Sequence, residues 1–125
     1  MRRVLITGTA GFIGFHLAKL LLEEGFQVHG FDGMTDYYDV RLKQCRHAIL
    51  LQSPHFSKTE GMLEDQALFD QTADAFKPEV IVHLAGKAHD TKNQSVAQSY
   101  FDINTGLTQR IFDFFMHSDA KTFVF

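Results

Sequence analysis

Three glycines near the N terminus carry the clearest chemical signal in this sequence. Gly8, Gly11 and Gly14 follow the apolar run Val4-Leu5-Ile6 and precede residues with helical periodicity. At a strand-to-helix junction Gly8 permits a tight turn, Gly11 lets the backbone approach a pyrophosphate, and Gly14 lets the helix pack closely on a sheet. The helix start adds free N–H groups and a positive dipole end. The spacing G-x-x-G-x-x-G therefore predicts a dinucleotide-binding loop; the alternative is a turn without a ligand.

An aspartate lies at the position where a dinucleotide-binding loop requires an acidic residue. Asp32 ends the segment that begins at Phe26, and Gly33 follows it. At the tip of a second strand, this side chain can accept hydrogen bonds from both ribose hydroxyls of an adenosine, and it repels a 2′-phosphate. The sequence therefore predicts NAD rather than NADP as the cofactor. The alternative is an aspartate that only forms a turn beside Gly33.

Strand and helix patterns alternate along the whole chain and must position these residues. The predicted strands are 2–7, 26–32, 55–60, 79–84 and 121–125, and the predicted helices are 11–24, 38–51, 65–76 and 95–117. This alternation predicts an α/β, Rossmann-like three-layer sandwich: a five-stranded parallel sheet in the order 3-2-1-4-5 with helices on both faces. The loop 85–90 then follows the carboxyl end of the fourth strand, which is the ligand side of such a sheet.

Helical spacing also predicts which side chains are buried. In the first helix the predicted apolar face consists of Ile13, Leu17, Leu20 and Leu21. In the second helix the side chains predicted to be partly buried are Val40, Leu42, Cys45 and Ile49. The phenylalanines of the last helix and strand, predicted to be core rather than ligand contacts, are Phe112, Phe114, Phe115, Phe123 and Phe125.

Length and composition narrow the classes of function. A chain of 125 residues predicts a single domain, and a net charge of −3 without a Lys/Arg run argues against nucleic-acid binding. The single cysteine, Cys45, forms no internal disulfide and fits a cytoplasmic protein. No apolar run approaches the roughly 20 residues of a membrane span. His83 and His89 make a poor metal pair because no third ligand is evident.

Four segments resemble those of one family in the expected order. Residues Thr7 to Gly14 resemble the family's T-G-x-x-G-F-I-G loop, and Asp32 matches the acid with which the family binds the ribose. His83 to Gly86 resemble the family's segment after the fourth strand, and Asn104 matches an asparagine of the helix that follows. The chain thus resembles the N-terminal part of an extended short-chain dehydrogenase/reductase, the NAD-dependent epimerase/dehydratase family. The resemblance implies NAD as cofactor and the following contacts: Gly8, Gly11, Phe12, Ile13, Gly14, Asp32, Leu63, Leu84, Ala85, Gly86 and Asn104.

A narrower resemblance covers the first two-thirds of the chain. Residues 36–40 and 61–65 are similar to those of the UDP-glucuronate 4-epimerase branch. From Lys87 to Lys92 the sequence resembles another sugar-nucleotide epimerase branch instead, which suggests a chimera joined near Ala85. Met62 is a further departure, because many members carry there an aspartate that hydrogen-bonds adenine.

The residues that the family uses for catalysis are not found in this sequence. The resemblance implies a tyrosine activated by a lysine of a Tyr-x-x-x-Lys pair just after the fifth strand. Tyr37, Tyr38 and Tyr100 have no lysine four residues later. Residues 1–125 are therefore predicted to be a half-Rossmann NAD-binding domain without the catalytic and substrate-binding part, or alternatively an engineered or chimeric scaffold that binds no cofactor usefully. The fifth strand is predicted to be an open edge through which the chain self-associates.

Overall fold

Among the described residues, five parallel strands form one sheet in the order β3-β2-β1-β4-β5, as predicted. The computed structural model describes residues 2–34, 40–85 and 94–125, with the backbone only over 94–103. The elements are β1 (Arg3–Thr7), α1 (Phe12–Glu23), β2 (Gln27–Asp32), α2 (Val40–Leu50), β3 (Phe56–Glu60), α3 (Gln66–Phe76), β4 (Val80–His83), α4 (Gln94–Met116) and β5 (Thr122–Val124). Predicted and observed ends agree or differ by one residue, except that predicted helix residues 38 and 39 lie outside the described ranges.

The register of the central strands brings the site residues to one edge of the sheet. Val4 of β1 lies opposite Val28 of β2 and Val80 of β4, and Thr7 lies opposite Phe31 and His83. The carboxyl ends of these three strands are therefore level. The glycine loop leaves β1 at this edge, between the end of β2 and the end of β4.

Two apolar cores, one on each face of the sheet, hold the three layers together. The core shared with α1 and α2 contains Val4, Ile6, Phe15, Ala18, Val28, Leu50, Phe56 and Val82. The core shared with α3 and α4 contains Leu5, Phe31, Leu63, Phe69, Ala73, Ile81, Leu107 and Ile111. Successive strand residues alternate between the two cores because their side chains point to opposite faces of the sheet.

The predicted buried face of α1 is wrong for two of its four residues. Ile13 and Leu20 are 66% and 53% exposed, whereas Gly14, Phe15 and Ala18 are buried. A Cβ at Gly14 would lie 2.1 Å from the carbonyl oxygen of Gly8. This close approach fixes which side of the helix faces the sheet, and it overrides the spacing of the larger apolar residues.

The predicted face of α2 is wrong for three of its four residues, since only Val40 is partly buried as predicted. Leu42, Cys45 and Ile49 are exposed, and the buried side chains of this helix are Lys43, His47 and Leu50. Two of those three are polar. The helix therefore docks through polar contacts as well as apolar ones, which an apolar periodicity cannot reveal.

The last helix and strand are only partly buried. Phe114, Phe115 and Phe123 pack against the second core, as predicted, but Phe125 is 80% exposed and Phe112 is 39% exposed. No helix in the described part of the chain is both long and apolar enough to cross a membrane.

Candidate functional site

Two glycines of the loop are required by close contacts within the chain itself. Gly8 has φ of +85°, and a Cβ there would lie 2.9 Å from the backbone nitrogen of Ala85. Gly14, as described above, brings α1 against the same turn. Gly11 is less confined, since its Cβ would lie 3.3 Å from the Gly8 carbonyl oxygen. The loop is thus packed between α1 and the segment after β4, with little room for side chains.

The N terminus of α1 offers an anion site at this loop. Gly11 is the N-cap residue, no described side chain caps the helix start, and the first turn carries no acid. The first N–H groups of a helix then remain available, and its dipole favours a negative charge there. Phe12 and Ile13 are 67% and 66% exposed, so these two side chains lie at the surface beside the helix start. A phosphate group fits this arrangement.

Asp32 connects the end of β2 to the glycine loop. Its Oδ2 accepts a hydrogen bond from the Ala10 backbone N–H at 3.0 Å, and its Oδ1 accepts one from the Met34 N–H at 2.7 Å. The residue is 8% exposed. Because an ionised carboxylate has about four acceptor positions, two remain for further donors such as ribose hydroxyls. Asp32 therefore forms a turn and still has the capacity to bind a ligand.

Thr7 and His83 fix the backbone after β4. The Thr7 Oγ1 accepts hydrogen bonds from the N–H groups of Leu84 (3.0 Å) and Ala85 (3.1 Å). Its own proton must then go to His83 Nδ1, which lies 2.7 Å away. His83 is accordingly neutral with its proton on Nε2. Burial lowers the pKa of His83, which also favours the neutral ring. The sequence placed His83 in the family segment after the fourth strand and judged it a poor metal ligand; its hydrogen-bond partner Thr7 follows from the pairing of β1 with β4.

Helix α2 contributes contacts to the loop that the sequence did not suggest. Thr9 Oγ1 lies 2.8 Å from His47 Nε2, and Arg46 Nη1 donates to the Ala10 carbonyl at 2.9 Å. Thr9 and His47 are both buried. Apolar periodicity carries no signal for such contacts, because they join polar residues of two distant segments.

The remaining predicted contacts differ in their placement. The Leu63 side chain is 6% exposed and packs in the second core, and its carbonyl accepts a hydrogen bond from Arg110. Asn104 is half-buried on α4. Gly86 lies outside the described residues, as do Lys87 to Lys92 with the suggested change of branch. Among the described residues no group of histidine, cysteine and acidic side chains could hold a metal ion.

Comparison with known proteins decides the family. A sequence profile described as the NAD dependent epimerase/dehydratase family matches residues 4–125. The chain belongs to this family. Within the NAD-dependent epimerase/dehydratase family, it is 55% identical over 102 residues to a probable UDP-glucuronate 4-epimerase of Rhizobium meliloti (strain 1021), covering 82% of this chain and 30% of that protein. It is also 40% identical over 85 residues to UDP-glucuronate 4-epimerase 3 of Arabidopsis thaliana, and this match covers 68% of this chain and 20% of that protein.

Solved structures of epimerases share the fold. The UDP-glucuronic acid 4-epimerase of Bacillus cereus in complex with NAD superposes with a TM-score of 0.81 at 26% identity, over 97% of this chain and 38% of that chain. The UDP-Glc/GlcNAc 4-epimerase of Campylobacter jejuni superposes with a TM-score of 0.84 at 20% identity, over 98% of this chain and 36% of that chain. The chain thus spans about a third of the length of these epimerases and corresponds to their N-terminal part. Its homology to UDP-glucuronate 4-epimerases confirms the narrower resemblance.

Proposed function

We propose that this chain binds NAD through the glycine loop, the N terminus of α1 and Asp32. The observation that carries the proposal is the hydrogen bond between Ala10 N–H and Asp32 Oδ2, which holds the predicted phosphate and ribose sites side by side. The uncapped helix start supplies donors for the pyrophosphate. Asp32 supplies acceptors for the adenosine ribose. The family membership and the NAD complexes of its structural relatives support this choice of cofactor.

The carboxylate of Asp32 also determines which dinucleotide is preferred. It is 8% exposed and lies beside the loop, so a 2′-phosphate would have to approach a largely desolvated negative charge. Coulomb repulsion between such groups is stronger than in water because the effective dielectric constant is lower. We therefore propose that NAD binds more tightly than NADP.

The segment after β4 completes the proposed site. Thr7 holds the backbone of Leu84 and Ala85 in place, and the Ala85 nitrogen lies against Gly8. Small side chains let backbone approach a cofactor here. Gly86 and Asn104, assigned by resemblance, remain predictions for the same cofactor.

We further propose that these 125 residues bind the cofactor without converting a sugar nucleotide. When bound, NAD supplies a hydride acceptor, and a positioned base must remove a hydroxyl proton at the same time. The sequence holds no Tyr-x-x-x-Lys pair to provide that base. The parent activity suggested by the relatives is epimerisation of UDP-glucuronate, and incubation of the purified chain with UDP-glucuronate and NAD should yield no epimer.

A calorimetric titration tests the proposal against the scaffold alternative. NAD and NADP are titrated separately into the purified chain, and a thermal denaturation scan is recorded with each. Saturable heat with NAD, and a smaller affinity for NADP, support the cofactor site. No heat and no thermal shift at millimolar NAD would instead identify the chain as a scaffold, chimeric or otherwise, that keeps the fold alone.

Among the described residues β5 is an edge strand of the sheet, and this supports a proposal of self-association. The other edge strand, β3, carries Lys58 and Glu60, which form an ion pair, and such charges disfavour pairing with a further strand. In contrast, β5 consists of Thr122, Phe123 and Val124, without a charge. Val124 is 46% exposed. A second copy of the chain, paired through this strand, would cover its backbone groups and its apolar side chains.

A further inference from the structure

We infer that His47 is a positioning residue for the cofactor phosphates, acting through the Thr9 hydroxyl of the glycine loop. The inference rests on the proposed function and adds to it a role for α2, a helix whose residues are not among the predicted cofactor contacts. The contact joins residues 38 positions apart in the chain. Its role is to hold the loop in the geometry that presents backbone donors to a pyrophosphate.

The pair is built into the interior rather than formed at the surface. Thr9 is 0% exposed and His47 is 1% exposed, and the two side chains are 2.8 Å apart. Space for Thr9 depends on Gly30 of β2, where a Cβ would lie 2.3 Å from the Thr9 oxygen. A threonine therefore fits here only because glycine faces it. The side chain is held between β2 and α2 with a defined orientation.

Neighbouring contacts hold the next loop residue from both sides. Arg46 Nη1 donates to the Ala10 carbonyl at 2.9 Å, and the Ala10 N–H donates to Asp32 Oδ2 at 3.0 Å. Two successive residues, Thr9 and Ala10, are thus anchored to α2 and β2 just before the α1 N terminus. Binding to a preorganised loop costs less conformational entropy than binding to a mobile one.

His47 is held in its neutral form by its surroundings. No described residue makes a hydrogen bond to its Nδ1, so a protonated ring would bury an N–H without a partner. Burial lowers the pKa of His47; Lys58 of β3 lowers it further, whereas Asp32 of β2 and Glu60 of β3 oppose the shift. Lys43 lies one turn earlier on the same buried face of α2. The neutral tautomer with the proton on Nε2 satisfies its only donor at Thr9 and leaves Nδ1 as a bare acceptor.

The role of Thr9 can be separated from its packing. Thr9→Val keeps the branched shape and removes only the hydroxyl, so the core volume is nearly unchanged. His47→Leu removes the ring nitrogen that contacts the Thr9 hydroxyl and leaves an apolar side chain in its place. Gln44→Ala, on the exposed side of α2, is the matched control.

The experiment compares three ligands that share the adenosine group but differ in their phosphates. NAD, ADP and adenosine are titrated into each variant by calorimetry, with adenosine also followed by NMR shift changes. Loss of one hydrogen bond predicts that Thr9→Val weakens NAD and ADP binding about fivefold. Adenosine binding should not change, because adenosine carries no phosphate for the loop to bind. His47→Leu should show the same phosphate-dependent loss as Thr9→Val, and unchanged NAD and ADP affinities for it would overturn the role of His47. Gln44→Ala should bind all three ligands as the unsubstituted chain does.

Several results would overturn the inference. Equal NAD and ADP affinities for Thr9→Val and the unsubstituted chain would show that the hydroxyl plays no part. An equal loss for adenosine would show a general loosening of the fold. Should Thr9→Val not fold, Arg46→Met removes the other α2 contact and is expected to give the same phosphate-dependent loss. Failure of the unsubstituted chain to bind NAD would refute the proposed function itself, a result distinct from any difference among variants.

Discussion

The carboxylate of Asp32 accepts a hydrogen bond from the Ala10 backbone at 3.0 Å, so the end of β2 is joined directly to the glycine loop. The second oxygen accepts from the Met34 N–H at 2.7 Å. One side chain thus fixes the loop and the chain after β2, and still has acceptor positions left. Structural and binding roles of Asp32 must therefore be tested together.

Asp32→Ala should weaken NAD binding and lower stability at once. NAD would lose the two hydrogen bonds that its ribose hydroxyls donate to the Asp32 carboxylate, which predicts a loss of affinity of roughly 100-fold. The N–H groups of Ala10 and Met34 lose their acceptor, which costs about 1–3 kcal/mol for each group that stays buried. Calorimetry and urea unfolding measure the two effects, with Asp74→Ala on the exposed side of α3 as the control. Unchanged NAD affinity would reduce Asp32 to a turn residue.

Gly14→Ala should destabilise the fold, whereas Gly106→Ala should stabilise it. A Cβ at Gly14 would lie 2.1 Å from the Gly8 carbonyl oxygen, and backbone cannot move aside there without shifting α1. Overpacking of this kind costs about 1–3 kcal/mol or more. Gly106, also helical, has no described atom within 4 Å of its would-be Cβ, so alanine gains about 1 kcal/mol of helix propensity. Urea unfolding of both variants checks the contrast; similar effects of both substitutions would contradict it.

The sequence predicted the sheet well because its three central strands, β1, β2 and β4, are buried on both faces. Continuous runs such as Val80-Ile81-Val82 need no periodicity to be recognised, and the parallel order follows from the alternation with helices. The pairing order then brings the ends of β1, β2 and β4 together. This is why the proximity of Asp32 to the glycine loop could be anticipated from the chain alone.

The helix faces were harder to predict because tertiary contacts select them. On α1 the contact between Gly14 and Gly8 determines the rotation, so that Ile13 is exposed and Ala18 is buried. On α2 the buried His47 owes its place to Thr9, a residue 38 positions earlier. Neither relationship is expressed in the spacing of apolar residues. Polar partners at long sequence separation can be identified only once the fold has placed them.

Buried histidines predict a loss of stability as the pH falls. Burial lowers the pKa of His29 from 6.5 to about 4, and it also lowers the pKa values of His47 and His83. Because the folded pKa lies below the unfolded one, the unfolded chain binds more protons between pH 6.5 and 4, and the free energy of unfolding falls through that window. For His29 alone the loss amounts to about 3 kcal/mol.

Substitution at His29 isolates its share of this pH dependence. The ring lies 2.6 Å from Ser57 Oγ and 2.8 Å from Thr59 Oγ1, and a glutamine amide can keep one of these hydrogen bonds. We expect His29→Gln to flatten the curve of unfolding free energy against pH between 6.5 and 4. Urea unfolding at several pH values measures it, with His55→Gln as a control for removal of an exposed histidine. An unchanged slope would mean that His29 gains its proton without cost.

A charge on β5 should abolish self-association. Val124 is 46% exposed on a strand that pairs with β4, and Phe125, the next residue, is 80% exposed. A lysine in place of Val124 would have to be desolvated if a second copy paired there, and edge charges oppose such pairing. Light scattering after gel filtration should therefore show a dimer or larger species for the unsubstituted chain and a monomer for Val124→Lys. Leu51→Lys, which replaces an equally exposed apolar residue after α2, should leave the mass unchanged. A monomeric unsubstituted chain, or equal masses for all three, would show that β5 is not an interface between copies.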